Sequence, residues 1–271
     1  FLFREYLRSP GIFELSGRGS GTPKMEYNST AEEIAGYDWI SENHRKHLKN
    51  FVNKQYDLKM LAFGGLKFIL KGEEIPEKKW LRKKRKLILC FLFLSAGKTL
   101  SKDKIVDIFF GDTPIESIDN TFHQAVSNIR TALRTDPSDV KRKDKTQSDD
   151  LVIYEDKNLR FNSRQNYYCD LYDFDNIINK GFAEYNRLES IEYLIRAASL
   201  YNGSVLEGFY DDWCESLREE YKNKYIKCAE KLIELLLVEN RFDEVIIQAE
   251  KLNRADDLNI ASLKGSVTAG L

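Results

Sequence analysis

Hydrogen-bonding side chains recur at helical spacing between residues 115 and 134. If this segment is an α-helix, the geometry of 3.6 residues per turn gathers them on one side. Asn and Gln amides can pair with adenine through two hydrogen bonds, and Arg can grip guanine or a phosphate, so this side has the chemistry to read base edges. The members are Asn120, His123, Gln124, Ser127, Asn128 and Thr131, with Arg130 and Arg134 at the flanks.

An apolar stripe on the same segment predicts which side of the helix faces inward. Its residues recur at spacings of four, three and four, which is the period of an amphipathic helix. Thr113-Pro114 is a start signal for this third predicted helix. An ordinary solvated helix face is the alternative interpretation of the polar side. The stripe consists of Phe122, Val126, Ile129 and Leu133, with Ala125 and Ala132 beside it.

Three earlier elements are predicted to position the third helix. Two β-like runs, LKMLAF and LKFILKG, are joined by Gly64-Gly65, a pair that permits a tight reversal. The first helix is predicted over residues 80–96, with Gly97 as its C-cap. Ser101 is predicted to N-cap the second helix, which ends at Gly111.

A hairpin is predicted to follow the third helix, over residues 151–162. LVIY and LRFN are typical of strands, and EDKN between them is predicted to be a four-residue turn. From residue 171 onward the pattern is helical, and it predicts a stack similar to tetratricopeptide repeats but without a regular 34-residue period. The sequence therefore predicts a mainly α protein with small β-sheets, folded as two domains.

Positive charge is concentrated in the first of these domains. Residues 58–170 hold 22 Lys and Arg against 16 Asp and Glu, whereas residues 171–271 hold 12 against 19. Such an excess suits a polyanion. For the basic run KKWLRKKRK at 78–86, the sequence leaves three roles open: contact with a phosphate backbone, a nuclear signal, or simple solvation. The predicted phosphate contacts are Ser101 and Lys102 at a helix N-terminus. Lys157 and Arg160, two cations of the hairpin, are predicted to reach the minor groove or its rim.

Signals for an enzyme or a metal site are weak. Gly97-Lys98-Thr99 resembles the end of a phosphate-binding loop, but Leu92 stands where that motif needs glycine. His44 and His47 form an HxxH pair without a third ligand nearby, and four cysteines are scattered without metal spacing. No apolar stretch reaches the roughly 18 residues of a membrane span. We therefore predict no catalytic residue, metal, cofactor or membrane partner, and a cytoplasmic location.

Two stretches of the sequence resemble one known family. LKMLAFGGLKFILKGEEIPEKKWLRKKRKLILCFLFLSAGKTLSKDKIVDIFFGD, followed by NTFHQAVSNIRTALR, resembles the DNA-binding domain of the SARP-type regulators. LIRAASLYNGSVLEGFYDDWCESLREEY, followed by CAEKLIELLLVENRFDEVIIQAEKL, resembles their bacterial transcriptional activator domain. The resemblance implies an OmpR-type winged helix-turn-helix at 58–170 and an all-α, tetratricopeptide-like domain at 171–271. Residues 1–57 are then an appendage or the tail of a preceding domain, partly linker.

The resemblance also implies a function. Members of this family are transcription regulators, typically activators, that bind double-stranded DNA as dimers and recruit RNA polymerase. The third helix (115–134) is then expected to read the major groove and the hairpin (151–162) to reach the minor groove, while the helical domain serves dimerisation or regulation. Asn128 and Thr131 stand where the family often carries Arg, which removes two charges from this face. Two alternatives remain: an interaction scaffold that does not bind DNA, or the C-terminal part of a larger signal-responsive NTPase regulator.

Overall fold

The computed structural model describes residues 56–95, 98–134 and 150–255. These residues form two compact units. The N-terminal unit contains the described residues up to 58 together with 69–166, and the C-terminal unit contains 59–68 and the described residues from 167 onward. The sequence-based division at 58 and 171 stays a prediction. In the described part of the chain, no helix combines the length and the apolar character needed to cross a membrane.

The described residues contain short strands and mostly longer helices. The strands are β1 (Leu58–Leu61), β2 (Lys67–Leu70), β3 (Glu73–Glu74), β4 (Leu100–Ser101), β5 (Val152–Glu155), β6 (Asn158–Phe161) and β7 (Tyr167–Cys169). The helices are α1 (Glu77–Trp80), α2 (Lys83–Leu94), α3 (Lys102–Phe110), α4 (Ile115–Ala132), α5 (Asp170–Ala183), α6 (Arg187–Leu200), α7 (Asp212–Val238) and α8 (Phe242–Ala255). The mainly α fold class with small sheets, predicted from the sequence, is confirmed.

The first predicted helix is divided in the structure. Trp80 ends the short α1, and its side chain is buried. Leu81 follows with a positive φ of 60° and an exposed side chain, and the Arg82 N–H donates to the Trp80 carbonyl at 2.7 Å. An α-helix does not continue through such a residue. The prediction of one helix from residue 80 is therefore wrong, and α2 begins at Lys83.

The second and third predicted helices form as the sequence indicates. Ser101 caps α3, since its Oγ accepts a hydrogen bond from the Lys104 N–H at 3.3 Å. α4 packs against α1, α2 and α3. All six residues of the predicted apolar stripe are buried, which confirms the inward side of α4: Phe122, Ala125, Val126, Ile129, Ala132 and Leu133.

The predicted hairpin and its four-residue turn are both present in the structure. Glu155 pairs with Asn158, so only Asp156 and Lys157 form the connection between β5 and β6. Both have positive φ, 48° and 60°, which matches the two-residue turns that suit the twist of a hairpin. The four-residue turn predicted from EDKN is therefore confirmed, with Asp156 and Lys157 as its two central residues. β4 adds a third strand beside β6, with Leu100 opposite Leu159, and the sequence pattern did not predict it.

The C-terminal unit joins helices to a short β-segment. β1 and β7 are neighbouring strands, and Gly64 and Gly65 turn the chain after β1 with φ of 68° and 121°. Phe63, at the end of this segment, forms an isolated β-bridge with Val205. Successive helices pack pairwise: α5 against α6, α6 against α7, and α7 against α8.

Candidate nucleic-acid interface

The polar side of α4 is open to solvent in the structure. Asn120, His123, Gln124 and Ser127 are exposed, and Asn128 is half-buried. Their exposure follows from the burial of the apolar stripe, because the two sets lie on opposite sides of an amphipathic helix. The predicted base-reading residues of α4 are thus held on one surface by the packing of the N-terminal unit.

His123 has an aromatic environment that the sequence did not predict. Its ring lies 5.4 Å from the ring of Tyr154 in β5 and 5.4 Å from that of Phe122, both in edge-to-face geometry. Tyr154 also lies 5.3 Å from Phe122. These contacts tie the exposed side of α4 to the hairpin, so that His123 presents only part of its ring outward.

Arg130 connects α4 to the hairpin. Its Nε donates to the Val152 carbonyl at 3.0 Å, and the same atom lies 3.8 Å from an Asp150 carboxylate oxygen. The side chain is half-buried, so part of its hydrogen-bonding capacity is used inside the protein. Arg134 is also half-buried, at the end of the described segment.

Lys102 is neutralised by an acid on α4. Its Nζ lies 2.5 Å from Asp119 Oδ1 and 5.5 Å from the centre of the Phe122 ring. The hydrogen bond from this ammonium raises the pKa of Lys102, and it lowers the pKa of Asp119. Sequence reasoning missed Asp119, although it lies one turn before His123 and so was within reach of the same helical-face argument.

The hairpin brings one further cation to this side of the unit. Lys157 is exposed at the turn, and its carbonyl accepts from the Lys102 N–H at 2.8 Å, which joins the turn to the start of α3. Arg160 is half-buried, with its guanidinium 3.8 Å from the Glu155 carboxylate. Ser101 is exposed beside them. The bond between the Lys102 N–H and the Lys157 carbonyl therefore holds the hairpin turn beside the N-terminus of α3.

The basic run at 78–86 is split between two helices. Lys86 is buried, and its ammonium is paired with the Glu77 carboxylate, so it has a structural partner rather than solvent. Lys78, Lys79, Arg82, Lys83 and Lys84 are exposed, and Arg85 is half-buried.

Other predicted sites give the following picture. No cluster of three or more potential metal ligands is found within residues 56–95, 98–134 and 150–255. The four cysteines are buried thiols, and burial raises the pKa of Cys214 and Cys228 to about 12. His44, His47 and Gly97 lie outside the described residues.

The sequence matches one family model. Residues 169–269 match the bacterial transcriptional activator domain. The match covers the helices of the C-terminal unit and continues beyond the last described residue. It confirms the resemblance to regulators of the SARP and bacterial transcriptional activator domain type that the sequence predicts. Comparison of the sequence with curated proteins gives no match.

Comparison with solved structures finds similarity over most of this chain. A similar structure is that of Mycobacterium tuberculosis EmbR in complex with a low-affinity phosphopeptide, with a TM-score of 0.62 and 17% sequence identity. The alignment covers 79% of this chain and 54% of EmbR, so this chain spans about half the length of that protein. At this identity the likeness concerns the fold, and it confirms the predicted combination of a winged helix and a helical domain.

Proposed function

We propose that this chain, which carries a bacterial transcriptional activator domain at residues 169–269, is a DNA-binding transcription regulator that presents α4 to the major groove. The observation that carries the proposal is the exposed row of amide, imidazole and hydroxyl groups on α4 above a fully buried apolar stripe. A helix of this kind fits the major groove, and its amides pair with purine edges. Asn120, Gln124, Ser127 and Asn128 read bases, and His123 contributes the outward edge of its ring.

Phosphate contacts fix the position of α4 on the duplex. Lys157 and the N-terminus of α3 supply them, because an exposed cation and the positive end of a helix dipole both favour anions. Lys102 joins them when a phosphate displaces the Asp119 carboxylate from its ammonium. Arg160 and Arg134 add partly exposed positive charge, whereas Arg130 acts mainly through its bond to the hairpin.

The C-terminal unit supplies the regulatory contacts. In this proposal it mediates association of two chains on a repeated DNA site and contact with RNA polymerase, and the protein acts as an activator. A measurement of mass on operator DNA tests the association, since a single chain per site contradicts it.

The function is tested by DNA binding and selection. The whole chain is titrated into random duplex DNA at low salt. It is then titrated into DNA pools that successive rounds of selection have enriched in bound sequences. We expect binding that weakens steeply as salt rises, and a selected sequence that binds at least about a thousandfold more tightly than random DNA. A chain that binds no duplex at low salt contradicts the proposal and favours the scaffold alternative.

A further inference from the structure

A cleft of about 250 Å³ opens beside the exposed side of α4. The start of α2 and the end of α3 form its other walls. Ile88, Phe110 and Ala125 provide an apolar floor. The remaining lining side chains all carry hydrogen-bond donors: Arg82, Lys84, Arg85, Thr113, Thr121 and Gln124.

The residues that line the cleft carry a net positive charge. Three of the lining residues are cations and none is acidic. Elsewhere in the same unit, cations that approach the core have carboxylate partners, as Lys86 has Glu77 and Lys102 has Asp119. The guanidinium of Arg85 instead donates to the Trp80 carbonyl at 3.4 Å. Desolvation and the neighbouring charge of Arg82 lower the pKa of Arg85, which is the expected effect of a cation held near another cation.

The backbone adds to this positive field. Arg82 is the N-cap residue of the 12-residue α2, and no side chain caps the first turn of the helix. The N-terminus of an α-helix carries partial positive charge and unpaired N–H groups. The hydroxyls of Thr113 and Thr121 and the amide of Gln124 complete a ring of donors around the apolar floor. Together the cations, the helix N-terminus and these donors favour the binding of a phosphate in the cleft.

Gln124 connects this cleft to the exposed side of α4. It lines the cleft and is also one of the residues proposed to read bases. A DNA strand whose bases face Gln124 therefore places its own backbone on the cleft side of the helix. We infer that the cleft holds a phosphate of the DNA backbone at the edge of the major groove, with Arg82 and Lys84 as its main contacts. This inference rests on the proposed function.

The cleft is tested by two charge-matched double variants of the full chain. Arg82→Gln with Lys84→Gln removes two cations from the cleft, whereas Lys78→Gln with Lys83→Gln removes two exposed cations from the same run outside it. Dissociation constants on the selected duplex are measured across a range of salt. We expect the cleft variant to lower the salt slope by about 0.9, the value of one phosphate contact, and the control to lower it much less. Far-UV circular dichroism verifies that both variants fold.

Neutral linkages in the DNA backbone show which phosphate the cleft contacts. Methylphosphonate linkages are placed one at a time along the selected duplex, each removing one phosphate charge. At the position that the cleft covers, we expect the neutral linkage to weaken binding by the unmodified protein and the control, and to leave binding by the cleft variant unchanged. If no linkage shows this behaviour, the inference is overturned. If the cleft variant folds poorly, the unmodified protein is measured alone, and the inference is overturned when no neutral linkage on the cleft side weakens its binding.

The outcomes separate this inference from the proposed function. If the unmodified chain binds no DNA, the proposed function fails. If it binds DNA but both double variants have equal salt slopes, only the cleft inference fails. Inorganic phosphate and ATP are added separately while amide signals of residues 82–85 are followed by NMR. If either anion causes saturable shifts of these signals at micromolar concentration while the cleft variant binds DNA as the unmodified chain does, the cleft is assigned to a free anion. That combination overturns the inference that it holds a DNA phosphate.

Discussion

Lys102 at the start of α3 and Asp119 on α4 are joined by an ion pair, with Nζ 2.5 Å from Oδ1. Asp119 is otherwise well exposed, with 76% of its side-chain surface accessible. The pair therefore lies on the surface that we propose to face DNA. In the free protein it neutralises a cation that would otherwise be available to a phosphate.

Asp119→Asn is expected to strengthen binding to all duplex sequences at low salt. The change frees Lys102 without displacement of a carboxylate and removes a negative charge from a surface that approaches a polyanion, so the dissociation constant should fall for every sequence. Glu116→Gln is the matched control, since it removes the same charge from the first turn of the same helix. Equal effects of the two variants in a fluorescence anisotropy titration mean that Lys102 is not the cation released.

Arg130→Ala is expected to destabilise the N-terminal unit. The Nε bond to the Val152 carbonyl ties α4 to the hairpin, and a hydrogen bond from a charged donor contributes roughly 1.5–3 kcal/mol. We expect a loss of about 2 kcal/mol in the free energy of unfolding, measured by urea denaturation. Arg134→Ala serves as the control, because its side chain has no such bond to any strand that the structure describes. A loss no greater than that of the control means that the bond to Val152 does not stabilise the unit.

Asp170 gives the C-terminal unit a pH-dependent stability. Its carboxylate accepts from the Ala62 and Phe63 N–H groups at 2.8 and 3.1 Å, but burial raises its pKa from 3.8 to about 6. Because the pKa of Asp170 is higher in the folded state, its protonated form stabilises the folded unit. This contribution to the free energy of unfolding is complete below pH 3.8 and is lost as the pH rises through about 6. At about 1.4 kcal/mol per pKa unit, the loss is roughly 3 kcal/mol.

Asp170→Asn is the variant that isolates this effect. The amide oxygen can still accept from both N–H groups and has no charge to bury. The difference in unfolding free energy between the original chain and this variant should therefore fall by about 2–3 kcal/mol between pH 4 and pH 7. Urea denaturation at several pH values measures it. A difference that stays constant with pH means that Asp170 titrates normally.

Gly203→Ala is expected to disturb the contact between the β1–β2 turn and the loop after α6. A Cβ on Gly203 would lie 2.8 Å from the Gly64 Cα, which is backbone and cannot rotate away. Such crowding costs about 1–3 kcal/mol. Gly111→Ala makes the same chemical change where the nearest atom is 3.5 Å away, so it should cost much less. Thermal unfolding of both variants compares them, and similar midpoints contradict the expected clash.

The parts of the fold that the sequence predicted depend on local patterns. The period of Phe122, Val126 and Ile129 is enough to orient α4, and Ser101 is enough to start α3, because each signal lies within one element. The break at Leu81 and strand β4 depend on tertiary neighbours, namely the buried position of Trp80 and the free edge of β6. Periodicity within one segment carries no information about either.

The candidate site divides in the same way. Helical geometry predicted that Gln124 and Ser127 are exposed, since exposure follows from the face alone. It did not predict that Asp119 neutralises Lys102 or that Arg130 bonds to Val152, because these partners are 17 and 22 residues away in the sequence. The cleft near Gln124 depends in turn on the packing of α2 and α3 beside α4, which no single segment encodes.

Gln124→Ala is expected to change which sequence the protein prefers rather than how strongly it binds in general. The amide of Gln124 is exposed on α4, and a bidentate contact to a base contributes about 1–3 kcal/mol of discrimination. We therefore expect the preference at one base position of the selected site to fall about tenfold or more, while binding to random duplex changes little.

Lys157→Ala is the contrasting variant for this measurement. Its ammonium is exposed at the hairpin turn and is proposed to contact phosphate, so its removal should weaken binding to every sequence alike and lower the salt slope by about 0.9. Parallel titrations of both variants against the selected duplex, its single-base variants and random duplex separate the two roles. If Gln124→Ala keeps the full base preference and loses affinity uniformly, Gln124 contacts the backbone and α4 is not reading bases at that position.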